Sequence, residues 1–298
     1  MNYSPEAAIP YVSRVDAGTL ELVRSTGVEV VSSADLVQRF EARLTAAQLA
    51  GHRRAGTALG HIVDESFAEI ARRVRAGDGP TEYELQQFVM SRIATAGLTT
   101  AEPPIVAVNE HSADPHFGPT PENVGRIRHG DFVLLDLWAK EPARDAGYAD
   151  ITWTGFVGEA VPAEHARIFE IVARARDAAV DLVKRRVDNG ATIRGHEADR
   201  AARTVIEQAG YGEAFVHRTG HSIGREVHGM GANLDSLETQ DHRALIEGTC
   251  FSVEPGIYLP GRFGVRSELD MTIENGRAEV SAPQPQREVI PILARYRT

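Results

Sequence analysis

Residues Phe251–Glu268, FSVEPGIYLPGRFGVRSE, can fold in few ways. An apolar run leads into Pro260-Gly261, a pair suited to a tight turn, and a second strand-like run begins at Phe263, which predicts a β-hairpin. Antiparallel partners keep a constant sum of residue numbers, so a turn centred on residue 261 sets Glu254 opposite Glu268. Two carboxylates side by side on one sheet face repel. A bound metal ion is the usual way to make such a pair favourable.

The same spacing recurs upstream. Asp136 and Asp150 are 14 residues apart, as are Glu254 and Glu268. Their midpoint, Ala143, falls in the turn-like Pro142–Asp145, which predicts a second hairpin with Asp136 opposite Asp150. Phe132–Trp138 is apolar on both faces, as in a central strand. An ionised Asp136 inside it is costly unless it is paired, with an arginine such as Arg266, or binds metal. Between the hairpins lies His217-Arg-Thr-Gly-His-Ser-Ile-Gly-Arg-Glu-Val-His228, where glycines beside His221 allow close backbone approach. Each acid or histidine taken singly has a plainer explanation: a surface strand residue, a buried acid on an arginine, a loop histidine. Together, one imidazole and four carboxylates are too negative for a single closed zinc site and suit two bridged divalent ions such as Mn, Co, Fe or Zn.

Around this set the chain predicts an α+β architecture, with helices covering one side of a curved sheet. Ala17–Thr26 reads as a helix and Val28–Val31 as a strand, too little for a core alone. Helical periodicity runs from Ser32-Ser33 to about Val74, and Gly51 and Gly60 predict one bent helix or two joined. Thr81 and Glu84 form a capping box opening a helix to about Gly97. Ile105–Val108 reads as a strand, residues 109–121 as a loop carrying His111 and His116, and Tyr148–Val157 as a further strand. Helices are predicted over Ala163–Val187 and His196–Ala209, before a strand-rich remainder.

Composition narrows the setting. A formal charge of −10 argues against a surface dedicated to nucleic acid or anionic membrane. The lone Cys250 excludes an internal disulfide framework and suits a reducing compartment. No leader-like N-terminus and no apolar run long enough to span a membrane are visible, so a cytoplasmic location is expected.

The motifs Asp136…Asp150-Ile-Thr-Trp-Thr154, Gly220-His-Ser-Ile-Gly224…Val227-His228, Val253-Glu-Pro-Gly256 and Gly264-Val-Arg-Ser-Glu268 resemble those of the metallopeptidases with the pita-bread fold: prolidases, Xaa-Pro aminopeptidases and methionine aminopeptidases. The resemblance spans roughly residues 45–290 and is nearest the Xaa-Pro branch. It implies a metal-dependent exopeptidase acting on small peptides through a metal-bridged hydroxide, with two divalent ions (Mn, Co, Zn or Fe). The implied ligands are Asp136, Asp150, His221, Glu254 and Glu268, with Glu254 doubling as acid/base. His116 and His228 fall where the family has substrate-side histidines. The family commonly separates its two aspartates by 11 residues, so the turn here is longer. It also tends to carry an arginine shortly after the second histidine, and residues 229–235 contain none. Residues 1–31 are expected to be the last α-β piece of an N-terminal domain and residues 32–298 the catalytic domain. Alternatives are a methionine-aminopeptidase-like enzyme and a metal-free binding homologue. A homodimer is left open.

Overall fold

The computed structural model describes residues 1–281 and 283–297. Its helices are α1 Ala17–Ser25, α2 Ala34–Glu41, α3 Ala46–Arg75 and α4 Glu82–Thr95, followed by β1 Ile105–Val108, β2 Phe132–Ala139 and β3 Ala149–Phe156. Then come α5 Ala163–Asp188, α6 Gly195–Gln208, β4 Ser222–Ile223, β5 Cys250–Val253, β6 Gly256–Leu259, β7 Phe263–Arg266, β8 Leu269–Glu274, β9 Arg277–Val280, β10 Ile290–Pro291 and α7 Ile292–Arg295. Among the described residues the strands form two four-stranded sheets, β1-β2-β3-β10 and β4-β5-β8-β9, and a β6-β7 ribbon. No described helix is long and apolar enough to cross a membrane.

Strand alternation decides where the chemistry goes. In β2 and β3, Val133, Leu135, Leu137, Ala149 and Ile151 pack with Leu59, Phe67 and Leu85 of α3 and α4. The residues between them, Asp136, Asp150, Thr152 and Thr154, therefore point to the other face. In β5 and β8, Phe251, Val253, Leu269, Met271 and Ile273 pack with Phe169 of α5 and Ile206 of α6. Ser252, Asp270 and Thr272 take the opposite face. Each sheet thus buries its apolar face under a helix pair and turns a polar face inward. Burying each Phe, Leu or Ile side chain favours this arrangement by roughly 1.5–3 kcal/mol.

Three expectations change. β2 and β3 pair with Asp136 opposite Thr152 and Trp138 opposite Asp150, so the aspartates lie diagonally on one face rather than side by side; the longer turn shifts the register by one residue on each strand. Val28–Val31 forms no strand, since β-branched residues without a neighbouring ladder gain nothing from extension, and Val28 and Val31 are exposed. The helical stretch after Ser33 breaks at residues 42–45, not at Gly51 or Gly60. Thr45 there caps α3 reciprocally with Gln48, which satisfies two helix-end donors. Gly51 and Gly60 lie inside α3 because a Cβ would meet Glu141 Oε2 at 2.8 Å and Pro283 Cβ at 3.0 Å.

The later hairpin keeps its expected register. Gly256 pairs with Arg266 and Leu259 with Phe263 around the turn, and β5 pairs with β8 through Val253 and Leu269. Both ladders share the constant sum that sets Glu254 against Glu268, at the break between them.

Candidate metal centre

The two inward faces meet at a cleft of about 1040 Å³ whose lining includes His116, Asp136, Asp150, His221, His228, Glu254 and Glu268. All seven residues singled out from sequence are therefore brought together. His221 Nε2 lies 3.3 Å from Glu254 Oε1 and 3.6 Å from Asp150 Oδ2. Asp150, His221 and Glu268 each offer a ligand atom within 4.8 Å of the others. Asp136 Oδ1, Asp150 Oδ1 and Glu268 Oε1 are buried with no hydrogen-bond partner within the protein. Buried carboxylate oxygens are normally satisfied, so three orphans aimed into one cleft form a donor set that fits divalent cations.

Several of the other polar atoms around the cleft are paired, although Asp270 Oδ1 is a further buried oxygen without a partner among the described residues. Arg266, itself buried, pairs with Asp136 Oδ2 and donates from Nε to Thr152 Oγ1 at 3.0 Å and from Nη1 to Tyr258 Oη at 3.1 Å. Thr152 Oγ1 donates to Glu268 Oε2 at 2.6 Å. Ser252 Oγ donates to Glu254 Oε1 at 2.9 Å and accepts from the His221 backbone N–H at 3.0 Å. Asp270, buried on β8 two residues after Glu268, accepts from the Asp150 backbone N–H at 2.8 Å. His217 shares a 2.7 Å hydrogen bond with Tyr258 Oη.

Close approach of the His221 segment depends on Gly220, where a Cβ would fall 2.0 Å from the Ser252 carbonyl oxygen. Just before it, buried Asp199 accepts from the Thr219 N–H at 2.9 Å and hydroxyl at 2.6 Å.

Burial, and then repulsion from neighbouring carboxylates, pushes the Asp150 and Glu268 carboxyls well above the usual range. Burial likewise raises Asp136, with Arg266 opposing it. Burial also opposes ionisation of Glu254, but His221, His217 and Arg266 outweigh it and hold that carboxyl below its ordinary value. Four acids in contact share protons as one cluster, and Glu254 is the member favoured to stay ionised.

His228 stands edge-on to His221 with ring centroids 4.4 Å apart, and burial followed by His221 and Arg218 lowers it to about 4. It is thus neutral near pH 7. His116 is exposed on the loop before β2. Trp138, Tyr148, Phe117, Ile105 and Val227 give the cleft an apolar wall.

Residues 51–275 match the model of metallopeptidase family M24. The chain belongs to that family. It is 30% identical to a probable dipeptidase PepE of Mycobacterium bovis over 275 residues, covering 92% of this chain and 67% of that protein. It is 32% identical to an Xaa-Pro dipeptidase of Lactobacillus delbrueckii over 264 residues, 87% of this chain and 65% of the relative. The crystal structure of an X-Pro aminopeptidase from Thermotoga maritima superposes with a TM-score of 0.71 at 28% identity, covering 93% of this chain and 73% of that one. The chain spans about two thirds of the length of these curated relatives. The α+β pita-bread fold and metallopeptidase membership are therefore as the motifs implied, and membership brings divalent metal ions and peptide substrates with it.

Sequence reasoning missed Tyr258, Thr152, Ser252 and Asp270. Ser252 and Asp270 stand two residues from Glu254 and Glu268 on extended chain, so the two-residue strand period that placed the glutamates could have found them. Thr152, two residues from Asp150, and Tyr258, four from Glu254, follow the same period.

Proposed function

We propose that this chain hydrolyses the first peptide bond of short peptides, with Xaa-Pro peptides the preferred class, and that Asp136, Asp150, His221, Glu254 and Glu268 hold two divalent ions, Mn²⁺ being the first to test. The observation carrying this reading is the convergence of three orphaned carboxylate oxygens with His221 in a cleft that also holds His116 and His228. Ions bound there supply an activated water and polarise the scissile carbonyl. The chain's own residues do the rest.

Glu254, held ionised by His221, His217 and Arg266, takes a proton from the attacking water and returns it to the leaving nitrogen. His228, neutral near pH 7, donates an N–H hydrogen bond to oxygen as charge develops on it, and His116 approaches from the loop side. Donors aimed at a developing oxyanion typically contribute 10²–10³ in kcat. The apolar wall of Trp138, Tyr148 and Phe117 suits a proline ring. We further place the catalytic unit in residues 32–298, with residues 1–31 an appended segment, and the protein in the cytoplasm, with a homodimer as the assembly to test.

The test is to dialyse the purified protein against Mn²⁺, count metal by elemental analysis, and assay a panel of Xaa-Pro and Met-Xaa peptides. Retention of about two ions with cleavage of Xaa-Pro peptides is expected. Well under one ion per chain removes the enzyme reading; cleavage of Met-Xaa peptides alone replaces the substrate class.

A further inference from the structure

His116 sits on a segment, residues 109–125, with no regular structure beyond a single turn at Asn109–Ala113. Its own side chain is exposed. Its backbone N–H donates to Asp114 Oδ1 at 3.0 Å, and a fully buried acid outside the cleft lining holds the segment that carries it. Glu82 opens α4 and has no solvent exposure. Its Oε1 accepts the Val108 N–H at 2.7 Å and its Oε2 the Gly125 N–H at 2.5 Å, so one carboxylate ties both ends of the segment. The Glu82 N–H donates in return to the Gly125 carbonyl at 2.9 Å.

The third partner comes from inside the loop. His111 Nδ1 lies 2.9 and 3.0 Å from the two oxygens of Glu82. The His111 ring stacks on Phe117 with centroids 4.2 Å apart and planes 22° from parallel. Phe117 is buried, lines the cleft and follows His116 directly. The path from Glu82 to His111, to Phe117, to His116 is continuous. The loop has further ties at its middle: Ser112 Oγ accepts the Gly264 N–H at 2.9 Å, and the Pro115 carbonyl accepts from Arg266 Nη1 at 3.3 Å. These fix the backbone before His116, and the stack on His111 holds the aromatic ring after it.

We propose that buried Glu82 and half-buried His111 form a latch whose work is to position His116, making His111 a positioning residue for the reaction. A buried carboxylate is retained only with full hydrogen bonding, and here every donor on Glu82 belongs to the His116 loop or its two ends. The proposal rests on the peptidase reading for its kinetic arm but not for its structural one.

The experiment uses the full chain loaded with Mn²⁺, three single variants and one double variant. His111→Phe keeps a ring on Phe117 and removes the donor, His111→Asn keeps a donor near the Nδ1 position, and His116→Ala serves as benchmark. The Phe variant is expected to keep its metal, lose about tenfold in kcat with KM within twofold, and speed amide exchange at Val108 and Gly125. Asn restores the donor but not the ring that stacks on Phe117, so it should recover amide protection at Val108 and Gly125 while kcat stays low. A His111→Phe/His116→Ala double variant should be no slower than His116→Ala alone, since residues acting through one another are not additive. Independent, multiplying losses in the double variant, or loss of metal from His111→Phe, overturn the proposal. If the wild-type protein cleaves no peptide, the peptidase reading fails separately. Amide exchange then decides: faster exchange confined to residues 108–125 supports the latch, and unchanged exchange refutes it.

Discussion

A site built to hold cations should destabilise the protein that lacks them, and Glu268→Gln tests this with a sign opposite to that of most buried substitutions. Asp150 and Glu268 offer oxygens within 4.8 Å of each other. At an effective dielectric of about 20, two full charges at that distance repel by about 3.5 kcal/mol. Part of this is relieved because burial, reinforced by Asp150 and Glu254, raises the Glu268 carboxyl well above its usual range, so it tends to hold a proton. The substituted amide keeps the shape of the side chain and still accepts from Thr152 Oγ1. The metal-free variant should therefore be more stable than metal-free wild type by about 1–3 kcal/mol at pH 8. A carboxyl whose folded pKa lies above its unfolded value binds its proton more tightly when folded. Its destabilising effect is thus greatest at high pH and fades as pH falls toward the unfolded value of about 4.3. The variant's advantage should shrink from pH 8 to pH 6. Buried histidines that lose stability over the same range are common to both proteins and cancel in the difference. Saturating Mn²⁺ should reverse the order, since ligand at a hundred times its Kd stabilises wild type by about 2.7 kcal/mol, and the variant has lost a ligand. Urea denaturation with chelator and with Mn²⁺, at pH 6, 7 and 8, reads all three effects. A metal-free variant less stable than wild type at pH 8, or one gaining as much from Mn²⁺, refutes the reasoning.

Asp136→Asn should abolish metal retention and activity together, whereas His228→Ala should keep its metal and lose about 10²–10³ in kcat, as expected for one oxyanion donor; equal metal loss in both by elemental analysis ends that division of roles. Gly220→Ala places a methyl 2.0 Å from the Ser252 carbonyl, so a loss of more than about 3 kcal/mol in urea is expected with impaired metal uptake, overpacking being costly in a rigid neighbourhood; a variant of wild-type stability contradicts it. His52 is fully buried and shares hydrogen bonds with the Tyr148 carbonyl at 2.6 Å and Ser281 Oγ at 2.9 Å, and burial lowers it to about 4. Its neutral form supplies stability that is complete above the unfolded value of about 6.5 and is lost as pH falls toward 4, about 2 kcal/mol of it by pH 5. His52→Gln should flatten the pH dependence of stability by that amount, and an unchanged slope argues against it.

What the sequence disclosed, and what it withheld, follows from the range of the forces involved. The glutamate pair was legible because a short Pro-Gly turn leaves one register, and Gly256 opposite Arg266 shows that register kept up to the break at Glu254. The aspartate pair was legible as a face but not as a register. Between Ala139 and Ala149 the connection is long enough to let the ladder slip, and it settles with Asp136 opposite Thr152. A slip of one residue on each strand preserves the face, which is why the acids still converge although their pairing was misjudged. The strand expected at Val28–Val31 failed for the complementary reason: propensity is local, but a strand needs a partner that only tertiary structure supplies. The Arg266 pairing first weighed as an alternative to metal at Asp136 exists, and it does not compete with the metal. Arg266 takes Oδ2 and leaves Oδ1 orphaned toward the cleft, so one oxygen neutralises the buried guanidinium while the other remains for a cation. Two explanations that looked exclusive at the level of a residue are compatible at the level of its two oxygen atoms.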